Sequence, residues 1–198
     1  RVNVFDQSKT LSGLVERVIP AHRLPREAVT LDTKRIQNMG IVFHLNQRID
    51  KTQAEKLRAA YDAIFVAAGL DGINAFDVPG FDLPGVSPAM DYLEQASTYA
   101  RGEAEPPLTG KKVTVIGGGN VALDAAVVAK RLGAERVIVL YRRTMEQMPG
   151  WESEYLEACG LGVEFRWLSV IDEIKTSQGQ IQAVKIGQMR FVSSSEGG

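Results

Sequence analysis

The sequence predicts an α/β chain: a Rossmann-like parallel sheet covered by helices, with part of a second, related α/β unit ahead of it. Three observations predict it. From Lys112 onward, short β-favouring runs alternate with helical stretches in the order βαβαβ, and short loops between such elements build a parallel sheet. The first of these runs enters the glycine turn Gly117-Gly-Gly119 and opens directly into a helix. Residues 1–76 repeat the alternation less regularly.

Taken in order, Arg1 to Phe5 reads as a strand ending at Asp6, and Thr10 to Pro20 as a loop with short irregular structure. Pro25 and Glu27 open a helix, proline being tolerated in the first turn and an acid favoured there. Ala28, Leu31, Ile36 and Met39 form its apolar stripe, and Asn38-Met-Gly40 ends it. Ile41 to Leu45 is a short strand. Thr52 is placed to cap a helix through Ala60, with Glu55 in the capping-box position. Ala63 to Ala68 is a continuous apolar run closed by Gly69, suited to an interior parallel strand. Turns follow at Asp77 to Gly80 and Leu83 to Val86. Ser87 is a candidate cap for a helix from Pro88 to about Ala100. Gly102 to Gly110 reads as a linker. Beyond it come a strand at Lys112–Ile116, a helix at Asn120–Leu132, a strand at Arg136–Tyr141, a helix at Glu152–Cys159 and a strand at Val163–Leu168. A hairpin turns at Ser177 to Gln180.

Composition narrows the function classes. The chain has 198 residues, 44% of them hydrophobic, and a formal net charge of −1. Its pI is about 6.2, so no global basic field recruits nucleic acid or an anionic membrane. No apolar run approaches transmembrane length. The single cysteine, Cys159, forms no internal disulfide and holds no iron-sulfur cluster. A cytoplasmic setting is expected.

The glycine turn carries the chemistry. Gly117, Gly119 and Ala122 occupy the small positions of G-x-G-x-x-G/A. Gly117 makes the tight turn, Gly119 lets a diphosphate approach the backbone, and Ala122 lets helix and sheet pack closely. Main-chain amides from Gly117 to Val121 would hold the diphosphate at the positive end of the helix. Gly118 adds freedom without being required by the pattern. Asn120 either caps the helix or lines the nicotinamide side. The competing reading, a glycine turn that binds nothing, has to account for the entropy cost of three adjacent glycines.

About twenty-five residues on, an NAD site would present an acid to the ribose. This chain presents Tyr141, Arg142 and Arg143. A carboxylate would repel a 2′-phosphate, whereas arginine gives it a forked, charge-assisted pair. The pattern leans toward NADP, one arginine reaching the phosphate and the other stacking on adenine or facing solvent. A merely solvated arginine pair at a strand end is the alternative.

No catalytic acid, base or nucleophile and no metal-ligand set is legible. His22 and His44 lack triad or metal spacing; His22 lies in a stiff loop and His44 reads as structural. Cys159 is expected to be a buried small hydrophobe. Trp151 and Trp167 are expected in a core or interface. Asp124, on the helix after the glycine turn, is placed to point into the cleft.

Longer stretches add a resemblance. Ile19-Pro-Ala-His-Arg-Leu-Pro25, Tyr61 to Gly69, Val78-Pro-Gly80, Gly110 to Asp124, Tyr141 to Pro149 and Gly162-Val-Glu-Phe165 resemble the FAD- and NADPH-binding module of the glutamate synthase small chain. They are also similar to the corresponding module of dihydropyrimidine dehydrogenase, within the pyridine nucleotide-disulphide oxidoreductase superfamily. The resemblance covers roughly residues 1–190. It implies a partial FAD-binding domain over 1–105 without its glycine fingerprint, an NADPH-binding Rossmann-like domain over 106–190 and a flexible tail over 191–198. Asp6 would match the acid on the FAD adenosine ribose. Gly13 falls in the Gly-Gly-Leu segment with Ser12 replacing the first glycine, and Gly69 ends the strand near the flavin. Gly117, Gly118, Gly119, Asn120, Val121 and Ala122 match the NADPH phosphate turn. Arg142 and Arg143 match the 2′-phosphate site, and Asp124 the helix acid.

On that resemblance the chain is a fragment of an NADPH-dependent flavoprotein oxidoreductase. Hydride passes from NADPH to FAD, and electrons then pass to iron-sulfur centres that lie in absent sequence or a partner. No acid–base residue is needed for the hydride step. The chain alone, lacking a complete FAD phosphate cradle, is expected to be inactive. Expected partners are an iron-sulfur domain or a catalytic subunit, with no nucleic acid and no membrane; a homo-oligomer stays open. A reading of another class is a noncatalytic module that binds NADP or an adenine nucleotide, or serves in docking. A thioredoxin-reductase-like enzyme is disfavoured by the absence of a Cys-x-x-Cys pair.

Overall fold

A computed structural model describes residues 1–69 and 78–190. The chain divides into two compact units, Arg1–Ile73 and Asn74–Gly198.

In the first unit, β1 (Asn3–Phe5) pairs in parallel with β2 (Val42–His44), Val4 opposite Phe43. The crossover contains α1 (Leu14–Arg17) and α2 (Arg26–Gln37). The Phe5 ring stacks on His44 at 4.5 Å, and Tyr61 meets Phe5 edge-on at 6.2 Å. His44 Nε2 lies 3.1 Å from Asn3 Oδ1, so His44 is structural, as expected. The helix α3 (Lys51–Ala60) is capped by Asp50, not Thr52. Asp50 accepts from the Gln53 amide, and the Gln53 side chain accepts from the Asp50 amide. The capping box therefore begins two residues earlier than the sequence suggests.

Two apolar expectations fail in this unit. The α2 stripe does not pack inward: Leu31, Ile36 and Met39 are exposed, and Val29 and Thr33 are the half-buried positions. The run Ala63–Ala68 forms no strand, and Phe65 is 92% exposed. A strand is made by the neighbour that takes its main-chain N–H and C=O groups. Among the described residues, the β1–β2 pair does not extend to this run.

The second unit is the more regular. Strands β3 (Lys112–Ile116), β4 (Arg136–Leu140) and β5 (Val163–Arg166) form a parallel sheet in that order, with Val115 opposite Val139 and Val139 opposite Phe165. The crossovers are α5 (Asn120–Arg131) and α6 (Glu152–Gly160). An earlier helix, α4 (Ala89–Ala100), also packs on α5. Every residue from Ala122 to Ala129 is consequently buried, Asp124 included. A helix apolar on all sides is what burial between several neighbours requires. Val137, Val139 and Leu140 have no exposed surface and contribute about 1.5–3 kcal/mol each by transfer from water.

The hairpin of β6 (Ser169–Ser177) and β7 (Gln180–Gln188) is antiparallel, as predicted. Gln178 and Gly179 both have positive φ, 52° and 74°, which matches the twist of a two-residue hairpin. The turns at 78–86 form. Asp77 and the tail 191–198 lie outside the described residues. Ser87 does not cap α4; its hydroxyl donates to Pro88 O, and Pro88 is the N-cap residue. The 102–110 segment is tied back to α4 by the Tyr92–Thr109 hydroxyl pair, 2.9 Å apart. The unit boundary at 73/74 groups α4 and this segment with the sheet that follows them.

Candidate coenzyme site

The site is built where β3 ends. Gly117 donates its amide to Leu140 O at 3.0 Å, carrying the sheet ladder one residue past the strand. Its φ of +130° lies where side chains rarely go, and a Cβ there would meet the Ala122 Cβ at 3.3 Å. Gly117 thus takes a turn conformation that a side chain would strain, and it lies close against Ala122. The Gly117 amide is spent on the sheet, so donors for a ligand begin after it. Asn120 and Val121 start α5, where helix geometry leaves the first amides without internal partners. Gly119 is the extended N-cap residue, at φ −88° and ψ 171°. A Cβ on it would meet no atom within 4 Å. Open space faces the backbone at the helix's positive end.

Gly118 departs from expectation. It is buried, and a Cβ on it would fall 2.7–2.9 Å from the Tyr141 ring. The pattern does not require this glycine, but the packing does. Sequence spacing could not show it, because Tyr141 arrives from the next strand. The Tyr141 hydroxyl donates to Gln147 O at 2.8 Å, and its ring meets Trp167 edge-on at 6.3 Å. The ring is thus held from two sides.

Arg142 and Arg143 follow β4 directly, and both are exposed. The main chain there is anchored: Ser169 donates to Tyr141 O at 2.9 Å and Leu168 to Arg143 O at 3.0 Å. Neither guanidinium enters a hydrogen bond or ion pair among the described residues. Two forks of positive charge stand on a fixed backbone with no internal carboxylate to leave. Thr144 and Gln147 close a capping box around the 3-10 turn Met145–Gln147. The Thr144 side-chain hydrogen bond holds the Glu146 carboxyl below the usual carboxylate range.

The loop then returns to the glycine turn. Gly150 donates to Gly118 O at 2.9 Å, and the Trp151 amide donates to Asn120 Oδ1 at 3.0 Å. Asn120 is thus a fastener for this loop and not a side-chain cap. Trp151 is 66% exposed, outside any core among the described residues, whereas Trp167 stacks on Phe165 at 5.4 Å beside Tyr155. Cys159 is exposed, contrary to expectation. α6 turns Glu154 and Ala158 inward, and the next position looks out. Gly150 was missed by sequence reasoning; its one signal is the Pro149-Gly150 pair, which reads only as a turn.

Residues 23–192 match the family described as pyridine nucleotide-disulphide oxidoreductase. The chain belongs to that family. The pyridine nucleotide-disulphide oxidoreductases use FAD and a pyridine nucleotide. Among relatives, the chain is 31% identical over 202 residues to the NADP(+)-dependent formate dehydrogenase subunit beta of Moorella thermoacetica, covering 100% of this chain and 28% of that protein. It is 32% identical over 205 residues to the glutamate synthase (NADPH) small chain of Halomonas elongata, covering 98% and 42%. The chain thus spans less than half the length of these relatives. A 2-naphthoyl-CoA reductase complex superposes with a TM-score of 0.67 at 20% identity, over 94% of this chain and 26% of the other. That likeness shows a shared fold.

The residues expected at a flavin lie in the first unit of this pyridine nucleotide-disulphide oxidoreductase chain. Asp6 directly follows β1, where its Oδ1 accepts the Ser8 amide at 2.7 Å and its own amide donates to His44 O. Gly13 is the N-cap of α1 at φ 51°, preceded by Ser12 at φ 84°. The glycine expected before Gly13 is replaced, yet the backbone keeps a glycine-like conformation. Gly69 is exposed, after the unpaired 63–68 run. Among the described residues, no helix is long and apolar enough to cross a membrane.

Proposed function

We propose that the second unit binds NADPH and serves as the electron-entry site of an NADPH-dependent flavoprotein oxidoreductase similar to the glutamate synthase small chain. The observation that carries the reading is the open backbone at Gly119 with two uncommitted guanidiniums after the next strand. A dinucleotide diphosphate suits that place: the α5 amides and helix dipole face anionic charge, and the Cβ position of Gly119 opens on free space. Arg142 and Arg143 supply the forked geometry that a 2′-phosphate monoester takes. Gly117, Gly118, Asn120, Val121 and Ala122 shape the turn between them.

When bound, NADPH supplies a hydride and FAD accepts it, with iron-sulfur centres of an absent segment or partner subunit carrying the electrons onward. The protein's part is to fix distance, orientation and field, and no proton-transfer residue is needed. Asp6, Gly13 and Gly69 are proposed to face FAD, with 1–105 as its partial domain and 106–190 serving NADPH. A flavin diphosphate also needs a second glycine turn, and none follows β1 or β2 among the described residues. The proposal therefore assigns the chain's own binding to NADPH and its flavin chemistry to a longer protein. Cytoplasmic operation with an iron-sulfur partner belongs to the same proposal.

Titration of the purified chain with NADPH and NADH, combined with its visible absorbance, tests it. The expected result is a colourless protein that binds NADPH more tightly than NADH. A yellow protein bleached by NADPH would extend the enzyme assignment to this chain itself. Absence of binding to either coenzyme would overturn the site.

A further inference from the structure

We infer that Gly150 is a positioning residue for the proposed coenzyme site: by holding Gly118 O, it turns the Gly119 N–H toward the diphosphate. This rests on the NADPH reading above and adds a residue outside the glycine motif. A trans peptide points its C=O and the following N–H in opposite directions. Gly118 O accepts the Gly150 amide at 2.9 Å, so the Gly119 N–H faces away from the 148–151 loop. The space beside Gly119 is open. The other side of Gly118 is closed by the Tyr141 ring, at 2.7–2.9 Å from the Cβ position. The peptide is clamped between a ring and a hydrogen bond. Rotation of the peptide would forfeit that bond. Two more bonds hold the clamp shut, Tyr141 Oη to Gln147 O at 2.8 Å and the Trp151 amide to Asn120 Oδ1 at 3.0 Å.

Only glycine fits at 150. A Cβ there would lie 2.7 Å from Leu123 Cδ1 and 2.9 Å from Gly118 O, the second of these a backbone atom. Gly150→Ala therefore displaces the loop from the turn and frees the Gly118–Gly119 peptide. The arginine backbone is left in place, since Leu168 and Ser169 hold it independently.

That separation supplies the test. In the 198-residue chain, NADPH and 2′-AMP are titrated against wild type and Gly150→Ala, with the Gly119 amide followed by ¹⁵N NMR. 2′-AMP carries the 2′-phosphate and no diphosphate. Gly150→Ala is expected to weaken NADPH about 10- to 100-fold, the cost of one misdirected charge-assisted bond, with 2′-AMP unchanged. The NADPH-induced shift of the Gly119 amide should disappear. Unchanged NADPH affinity, or equal loss for both ligands, overturns the inference. If wild type binds neither ligand, the NADPH reading itself has failed. Should Gly150→Ala not fold, Tyr141→Phe removes the Gln147 tie while keeping the ring. A several-fold loss for NADPH alone supports the clamp, and no loss overturns it.

Discussion

Replacing Arg142 and Arg143 together with alanine should convert a coenzyme-selective site into an indifferent one. Both side chains are exposed, and neither partners a carboxylate among the described residues. Their removal thus breaks no internal ion pair, and the backbone stays fastened to Leu168 and Ser169. The fold should melt at an unchanged temperature. A hydrogen bond to a charged group contributes about 1.5–3 kcal/mol, and solvent exposure pulls each toward or below the lower end. Two such bonds give about 2–3 kcal/mol, or a 30- to 150-fold loss of NADPH affinity at about 1.4 kcal/mol per decade. NADH has no 2′-phosphate and should weaken by less than about threefold, through loss of general positive potential alone. The assay is calorimetric titration of both coenzymes at low salt and again near 1 M. There the Debye length falls to about 3 Å, and most of the wild-type preference should go with it. An equal loss for NADPH and NADH would refute the selector assignment. So would a salt-independent preference.

Gly118→Ala is expected to cost about 1–3 kcal/mol by overpacking against a Tyr141 ring that cannot swing away. The melting temperature should fall by about 2–10 °C; unchanged melting would mean that the ring yields. Ser12→Gly should stabilise the first unit by about 1 kcal/mol, relief of a serine held at φ 84° exceeding the added chain entropy of glycine. Chemical denaturation reads the change, and a lower midpoint would show the strain to be absent. Glu164 pairs in a two-bond fork with Arg136, both distances 2.7 Å, and that hydrogen bonding holds its carboxyl below the usual range. A depressed carboxyl pKa stabilises the fold fully above the ordinary glutamate value, and the contribution is lost as pH falls through the lowered one. Arg136→Ala should move the Glu164 titration upward by NMR; an unmoved titration would mean the fork does not persist in solution.

The second half of the fold was legible because its signals are local. The strand Lys112–Ile116, the turn at Gly117 and the apolar helix behind it are adjacent in sequence, and backbone geometry imposes each of them over a few residues. The hairpin turn at Gln178 and Gly179 is local for the same reason. The position of the two arginines directly after β4 was legible as well, since the strand that precedes them is a local apolar run. The first half was less legible. Asp50 outcompeted Thr52 as a cap because Gln53 answers it. Ala63–Ala68 has the composition of a buried strand but needs a neighbouring strand, which no property of the run itself supplies.

The amino-acid order alone settled that the chain carries a strand, a glycine turn and a helix, with two arginines directly after the next strand. Those are short-range consequences of side-chain size, charge and backbone freedom. Tertiary structure alone decided what holds that turn in shape: the Tyr141 ring beneath Gly118, the Gly150 amide on its carbonyl and the Trp151 amide on Asn120. These partners lie some 23 to 32 residues away along the chain, and only the pairing of β3 with β4 brings them within contact.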